Sequence, residues 1–264
     1  MRVVITRPQS EAAPWLKALA DAGYQAESLP LIDIQAAAAV APLSAAWERL
    51  GSFDAAMFVS RNAVHYFFEQ KTMVAPVFTA GSAIKTRAFV TGPGSYSALL
   101  KVGAQAACID TPDHEGGQFD SEALWDVVSA HVVPGYRVLV VRGTTVDAGA
   151  SDEGFGRDWF ARQVKSAGGE VEFVVAYQRQ RPVWDADALA FAKRAAADGT
   201  VWVFSSSEAV RNLQACCPDG DWSRAKAVVT HARIEAAALE AGFGQVLQAK
   251  PVLGALLASI ESLQ

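Results

Sequence analysis

Apolar residues along this chain come in short runs separated by amphipathic stretches, and the alternation has the period of β/α units. Arg2–Thr6 is an apolar run that predicts a strand and leads into Thr6-Arg7-Pro8. Gln9–Ala22 then sets Trp15, Leu16, Leu19 and Ala20 at helical spacing, and Gly23 stops the helix. Gln25–Ile34 resumes as a strand with Pro30 near its outer end, completing a β-α-β unit of the kind that builds parallel sheets. Pro42–Leu50 predicts a helix. Phe53–Ser60 predicts a buried strand that ends on a hydroxyl and runs into a helix over Asn62–Gln70. Phe89–Ser95 repeats that design: strand, tight turn, then a helix over Tyr96–Val102 closed by Gly103. Ala106–Ile109 predicts a further strand, and Asp120 stands before a helix start at Ser121-Glu122-Ala123-Leu124.

From Tyr136 the pattern starts again. Val138–Val141, ending in Arg142-Gly143, mirrors Val3–Ile5, ending in Thr6-Arg7. The helix Trp159–Ala167 with its stop at Gly168 mirrors the first helix with Gly23. Val201–Val210, through Ser205-Ser206-Ser207, mirrors Phe58–Val64, and Ala227–His231 with Leu239 and Gly242 mirrors Phe89–Gly92 with Leu100 and Gly103. Self-similarity of this kind predicts two related β/α halves, each a doubly wound parallel sheet.

One stretch departs from simple alternation. Val171–Val175 reads as a buried strand after Gly168-Gly169, whereas Arg179 and Arg181 carry permanent charge and Pro182 lacks an amide donor. A strand that leaves a core, turns basic and ends at proline suits a bridge between lobes. Tyr177 marks the end of its buried part.

Composition sharpens this picture. With 264 residues, two domains of ordinary size are expected; 51% hydrophobic and 19% charged residues supply core material for both. The net charge of −5 argues against nucleic acid as a partner but leaves room for a locally basic, anion-binding cleft. No run approaches the ~20 apolar residues of a membrane span, and Met1–Arg7 reads as a strand, not a signal peptide. Cys108, Cys216 and Cys217 form neither a disulfide framework nor metal-binding spacing, which fits a reducing cytoplasm.

In open parallel sheets, ligands bind beyond the carboxyl ends of the strands, where helix N-termini present free amides. The residues at those ends are Thr6-Arg7, Ser60-Arg61-Asn62, Thr91-Gly92-Pro93-Gly94-Ser95, Arg142-Gly143, Ser205-Ser206-Ser207 and Thr230-His231. They are hydroxyls, glycines and a few arginines, a set that suits carboxylate or phosphate oxygens. Carboxylate pairs, paired histidines and metal spacings are nearly absent, so no metal site is expected. Taken singly, each hydroxyl before a helix reads equally well as an N-cap, and Gly92-Pro93-Gly94 lacks the spacing of a nucleotide loop. Recurrence in both halves strengthens the joint case. His65 and His114 read as surface residues and His131 lies in a loop before Pro134, leaving His231 as the one histidine at a strand end. A phenol emerging from a buried strand, as at Tyr177, can donate a hydrogen bond or a proton.

These elements together resemble the uroporphyrinogen-III synthase family. The likeness runs from Val4-Ile5-Thr6-Arg7-Pro8 and Leu29-Pro30-Leu31-Ile32 through Val59-Ser60-Arg61-Asn62-Ala63-Val64 and Gly92-Pro93-Gly94-Ser95. It continues through Asp120–Leu124, Val141-Arg142-Gly143, Gly156-Arg157-Asp158-Trp159, Ala176-Tyr177-Gln178-Arg179 and Phe204-Ser205-Ser206. Order and spacing carry it; no single motif does. The resemblance implies two flavodoxin-like lobes joined by a two-stranded β ladder. One lobe would be residues 1–35 plus 180–264 and the other 36–179, with crossing strands near 30–38 and 174–183. It also implies a cofactor-free, monomeric enzyme that dehydrates and cyclises linear hydroxymethylbilane with inversion of its last pyrrole ring. Tyr177 corresponds to the family's candidate acid. Thr6, Arg7, Ser60, Asn62, Gly92, Ser95, Arg142, Gly143, Ser205, Ser206, Thr230 and His231 would hold the substrate's carboxylates. Two departures stand out: His231-Ala232-Arg233-Ile234 replaces expected threonines, and Ser95 stands where threonine is usual. The competing function is a two-lobe protein that binds or senses a tetrapyrrole or other small anion without turning it over.

Overall fold

The computed structural model describes residues 1–71, 77–113, 119–146, 155–250 and 252–263; His114 lies outside them. In chain order the first elements are β1 (Arg2–Ile5), α1 (Gln9–Asp21), β2 (Gln25–Ser28), β3 (Asp33–Ala36), α2 (Ala41–Glu48), β4 (Ala55–Phe58) and α3 (Arg61–Glu69). Next come β5 (Arg87–Val90), α4 (Pro93–Lys101), β6 (Ile109–Asp110), α5 (Ser121–Val128), β7 (Arg137–Thr145), α6 (Phe155–Ser166) and β8 (Glu170–Gln180). The last are α7 (Ala186–Ala197), β9 (Val201–Phe204), α8 (Ser207–Cys216), β10 (Lys226–Val229), α9 (Ala232–Glu240), β11 (Gln245–Gln248) and α10 (Leu253–Glu261). They form two compact units, Met1–Ile34 with Gln180–Gln264, and Gln35–Arg179.

The first unit holds a parallel sheet of order β11-β10-β9-β1-β2. Strands of four residues with alternating orientation feed two apolar layers. Val4, Trp202, Phe204, Ala227 and Val229 pack with buried residues of α7, α8 and α9. Val3, Ile5, Val201, Val203 and Val228 pack with Leu19, Leu256 and Ile260 of α1 and α10. Helices on both faces explain why β1 and β9 read as continuous apolar runs. Gly23 ends α1 with φ of 85°, a left-handed cap that a side chain would strain.

The second unit holds a sheet of order β3-β8-β7-β4-β5-β6, with β8, β7, β4, β5 and β6 mutually parallel. One face is filled by Met57, Phe89, Val138 and Val140 against Leu124, Phe160 and Val164. An aromatic cluster forms around Phe58, with Phe67 and Phe78 edge-on at 5.4 and 5.9 Å, and Trp47 stacked on Phe67 at 4.4 Å. Counting β7-α6-β8 as equivalent to β1-α1-β2, and β4-α3-β5-α4-β6 to β9-α8-β10-α9-β11, both sheets have the flavodoxin-like order 2-1-3-4-5. The repeat visible in the sequence is thus a repeat of fold.

Three elements differ from the sequence reading. Gln25–Ile34 is not one strand: β2 stops at Ser28, and β3 belongs to the other sheet. Pro30 has no N–H to continue a ladder, while Leu29 and Leu31 donate to Ile5 and Thr6 carbonyls and their side chains turn into the core. Ala106–Cys108 forms a 3-10 turn closed by Cys108 N–H on Gln105 O, leaving only Ile109–Asp110 as strand. In β8, Val171, Phe173 and Val175 are only half-buried; Val171 and Phe173 pack against the cluster of Met57, Phe89 and Phe160, and Glu172 pairs with Arg49 at 2.6 Å. Burial instead peaks later, at Val174, Ala176 and Tyr177, and the strand continues to Gln180.

A pocket of about 300 Å³ opens at the amino ends of β4, β5 and β7, lined by Phe53, Asp54, Lys85, Arg87, His131 and Tyr136 among others. Burial pushes the Tyr136 phenol up to about 12, with the Asp54 and Asp110 carboxylates adding to it. The folded value lies above the ~10 of an unfolded tyrosine. The protonated phenol therefore contributes its full stability below about pH 10, and this contribution is lost as pH climbs toward 12. Unfolding midpoints measured across that window are expected to fall with pH, and to fall less steeply in Tyr136→Phe.

Candidate active site

The two sheets each have a switch point, where the strand order reverses: between β1 and β9 in the first unit, and between β7 and β4 in the second. The carboxyl ends there are the places where loops part and backbone amides become available. In the second unit Ser60 follows β4, whereas Arg142-Gly143 are not a strand end as the sequence suggests: β4 stops pairing at Val141, but β7 runs on to Thr145 because β8 continues beside it, bringing Tyr177 next to Gly143.

Ser60 is the N-cap of α3. Its extended backbone (φ −162°, ψ 166°) lets Oγ accept the Ala63 N–H at 3.1 Å. The same Oγ lies 3.0 Å from the Tyr177 hydroxyl, close enough for a hydrogen bond in either direction. Tyr177 is only 4% exposed. Its ring lies across Gly143: a Cβ built there would sit 2.3 Å from Cζ. Tyr66 of α3 stacks beside it, with ring centroids 6.0 Å apart and planes 21° from parallel.

Strand register sets this arrangement. Arg142 pairs with Val175 but Gly143 pairs with Tyr177, so Ala176 is an extra residue in β8. Without that bulge Gly143 would face Ala176, and the ring would have no glycine to lie on. Arg142 stays beside Gly143 with its guanidinium 4.6 Å from the Phe173 ring centroid.

The neighbouring turn adds polar groups. Gly92 is the N-cap of α4 and Ser95, buried, lies in its first turn. The Arg61 guanidinium lies along Gly94, 3.4 Å from where a Cβ would be. Asn62 is the second residue of α3, and Tyr66 follows it by one helical turn on the same face. Tyr66 is absent from the strand-end residues that the sequence offers, and its i, i+4 spacing from Asn62 is the one local signal for it; Arg61 stands among them, between Ser60 and Asn62.

The first unit repeats the rim. Thr6 and Arg7 follow β1, Ser205 and Ser206 follow β9, and Thr230 and His231 follow β10. Thr6 is buried and donates its hydroxyl to Val203 O at 2.7 Å, which ties β1 to β9. Arg7 pairs with Glu11 at 3.6 Å and lies over Trp15. Ser206 caps α8 by accepting the Glu208 N–H at 3.1 Å, and exposed His231 caps α9 by accepting the Arg233 N–H through Nδ1 at 3.0 Å. Four of the predicted residues thus hold helix or strand ends: Ser60, Ser206, His231 and Thr6.

Among the described residues no group of three or more His, Cys, Asp and Glu side chains could hold a metal ion, and no helix is long and apolar enough to cross a membrane. What the second-unit rim offers is a fixed phenol, a hydroxyl, amides and guanidinium groups. Such a set binds anions and can pass one proton at a defined place.

Comparison with known proteins decides the family. A family model described as uroporphyrinogen-III synthase HemD matches residues 13–258. The chain belongs to the uroporphyrinogen-III synthase family. With that family it is a cyclising lyase of tetrapyrrole biosynthesis. Among curated proteins none matches the chain in sequence. Among solved structures it is similar to the uroporphyrinogen-III synthetase of Helicobacter pylori, at 13% identity and TM-score 0.58 with 100% of each chain covered. A mutant uroporphyrinogen III synthase of Thermus thermophilus is also similar, at 14% identity and TM-score 0.54, covering 100% of this chain and 98% of that one. At such identities the likeness establishes the fold of the synthase family, and the site must be argued from the residues themselves.

Proposed function

We propose that this synthase converts linear hydroxymethylbilane to uroporphyrinogen III, with Tyr177 as the acid that assists departure of the terminal hydroxyl. The reading rests on one observation: a phenol buried at a switch point and held 3.0 Å from the capping hydroxyl of Ser60. The Tyr177 proton passes to the substrate's hydroxyl and the C–O bond breaks. Water leaves as the pyrrole nitrogen lone pair fills the electron gap. The resulting cation is captured by the last ring, the spiro intermediate reopens, and ring closure in the inverted sense ends with loss of a ring proton to the phenolate or solvent.

The substrate is reactive enough to cyclise unaided to the wrong isomer, so orientation is the larger task of the protein. Its eight carboxylates need many donors. Arg142, the Gly143 amide, Asn62, Gly92 and Ser95 are proposed to hold them in the second unit, and Arg7, Ser205, Ser206, Thr230 and His231 in the first. Thr6 and Ser60 would contribute through the strand and helix ends they secure. The enzyme is proposed to work as a cytoplasmic monomer without metal, cofactor, nucleic acid or membrane.

Purified protein given fresh hydroxymethylbilane, with nothing else added, is expected to yield uroporphyrinogen III where the enzyme-free control yields the I isomer. Chromatographic separation of the isomers decides it. A mixture equal to the control, together with tight binding of the tetrapyrrole, would make the protein a non-catalytic binder instead.

A further inference from the structure

We propose that Ser60 is a positioning residue for Tyr177, acting on the substrate through the phenol instead of by contact; this rests on Tyr177 being the acid. Ser60 Oγ has one hydrogen to give and lone pairs to share. One of its two lone pairs accepts the Ala63 N–H at 3.1 Å, which pins the oxygen at the positive end of α3 and leaves its hydrogen to give. The Tyr177 oxygen stands 3.0 Å away. With Ser60 as donor, the phenol's own hydrogen is released to point at the substrate. When that proton has gone, the same Ser60 O–H and the amide end of α3 face the phenolate they would stabilise.

The rest of the socket leaves the ring little freedom. The Cα of Gly143 supports one face closely enough that a Cβ would lie 2.3–2.8 Å from Cζ, Cε1 and Cε2. Tyr66 stacks alongside at 6.0 Å. Rotation about the ring's long axis leaves the hydroxyl oxygen where it is, so the direction of the O–H remains to be set, and Ser60 Oγ at 3.0 Å is within reach to set it.

The experiment is a cycle of Ser60→Ala, Tyr177→Phe and the double variant, with Ser60→Thr and Ser60→Gly alongside, measuring kcat, KM and thermal unfolding on hydroxymethylbilane. Ser60→Gly removes the hydroxyl at a cap position where glycine is tolerated, so it covers the case in which Ser60→Ala fails to fold. Ser60→Ala or Ser60→Gly is expected to lower kcat about tenfold, the scale of one coupled hydrogen bond, with KM little changed. Ser60→Thr is expected to restore most of it. In the Tyr177→Phe background the loss of the Ser60 hydroxyl is expected to have no further effect on kcat. Equal losses in both backgrounds, or a rise in KM alone, would overturn the proposal. A Tyr177→Phe enzyme with parental kcat would overturn the reading of Tyr177 itself, a separate outcome recognisable from that single variant.

Discussion

Tyr177→Phe is expected to lower kcat by about 100-fold or more, the lower end of what a positioned general acid contributes, while KM and the unfolding midpoint stay close to the parent. The ring is what packs: it lies on Gly143 and beside Tyr66, and phenylalanine keeps both contacts. Only the hydroxyl is lost, and with it the contact to Ser60 at 3.0 Å. Ser60 keeps its cap on α3 through Ala63 N–H, so the helix start is not disturbed. Steady-state kinetics with isomer analysis, set beside a thermal melt, separates the two effects. A large fall in midpoint would mean that the hydroxyl is mainly structural. An unchanged kcat would mean that the proton comes from elsewhere.

Gly143→Ala is expected to act on both stability and turnover. A methyl there would overlap the Tyr177 ring, with the nearest carbon at 2.3 Å, so ring or strand must move. Neither moves freely: Tyr177 is 4% exposed, and Gly143 lies in the β7–β8 ladder beside the bulge. Overpacking of this kind costs about 1–3 kcal/mol. A phenol displaced by about 1 Å is expected to lower kcat by about 100-fold even where the protein remains folded. Chemical unfolding and kinetics measure the two parts. Combining Gly143→Ala with Tyr177→Ala gives the internal control, since the second change removes what the first collides with. The double variant should therefore be less destabilised than the sum of the singles, and strict additivity would show that the clash is relieved some other way.

Much of this protein is legible in its sequence because helices, strands and their ends are local. The apolar runs at Val3–Ile5 and Val201–Phe204 become central strands, since a strand covered by helices on both faces needs apolar residues at every position. Gly23 and Gly103 stop their helices with φ of 85° and 94°, a conformation glycine adopts without strain. The hydroxyls at Ser60 and Ser206 cap the helices that follow them. Because both halves use the same devices in the same order, the repeat and the doubly wound class follow from the chain alone.

What remained hidden is the register between distant segments. Gln25–Ile34 reads as one strand, yet whether it continues one sheet or leaves for another depends on which carbonyls its amides find. Pro30, lacking an amide, lets the chain go. Thr6 looks like a ligand group until the neighbouring strand brings Val203 O to within 2.7 Å of its hydroxyl.

The site itself divides in the same way. The sequence by itself determined which residues could take part: a tyrosine at the end of a buried run, a serine before a helix, a glycine after a strand. Only the tertiary structure put Tyr177 on Gly143 and its hydroxyl against Ser60. The physical reason is the extra residue at Ala176, which shifts the pairing of β8 with β7 by one position. Such a shift is settled by packing among Tyr177, Gly143 and Tyr66, segments more than thirty positions apart in the chain, and it leaves no periodic trace in any of them.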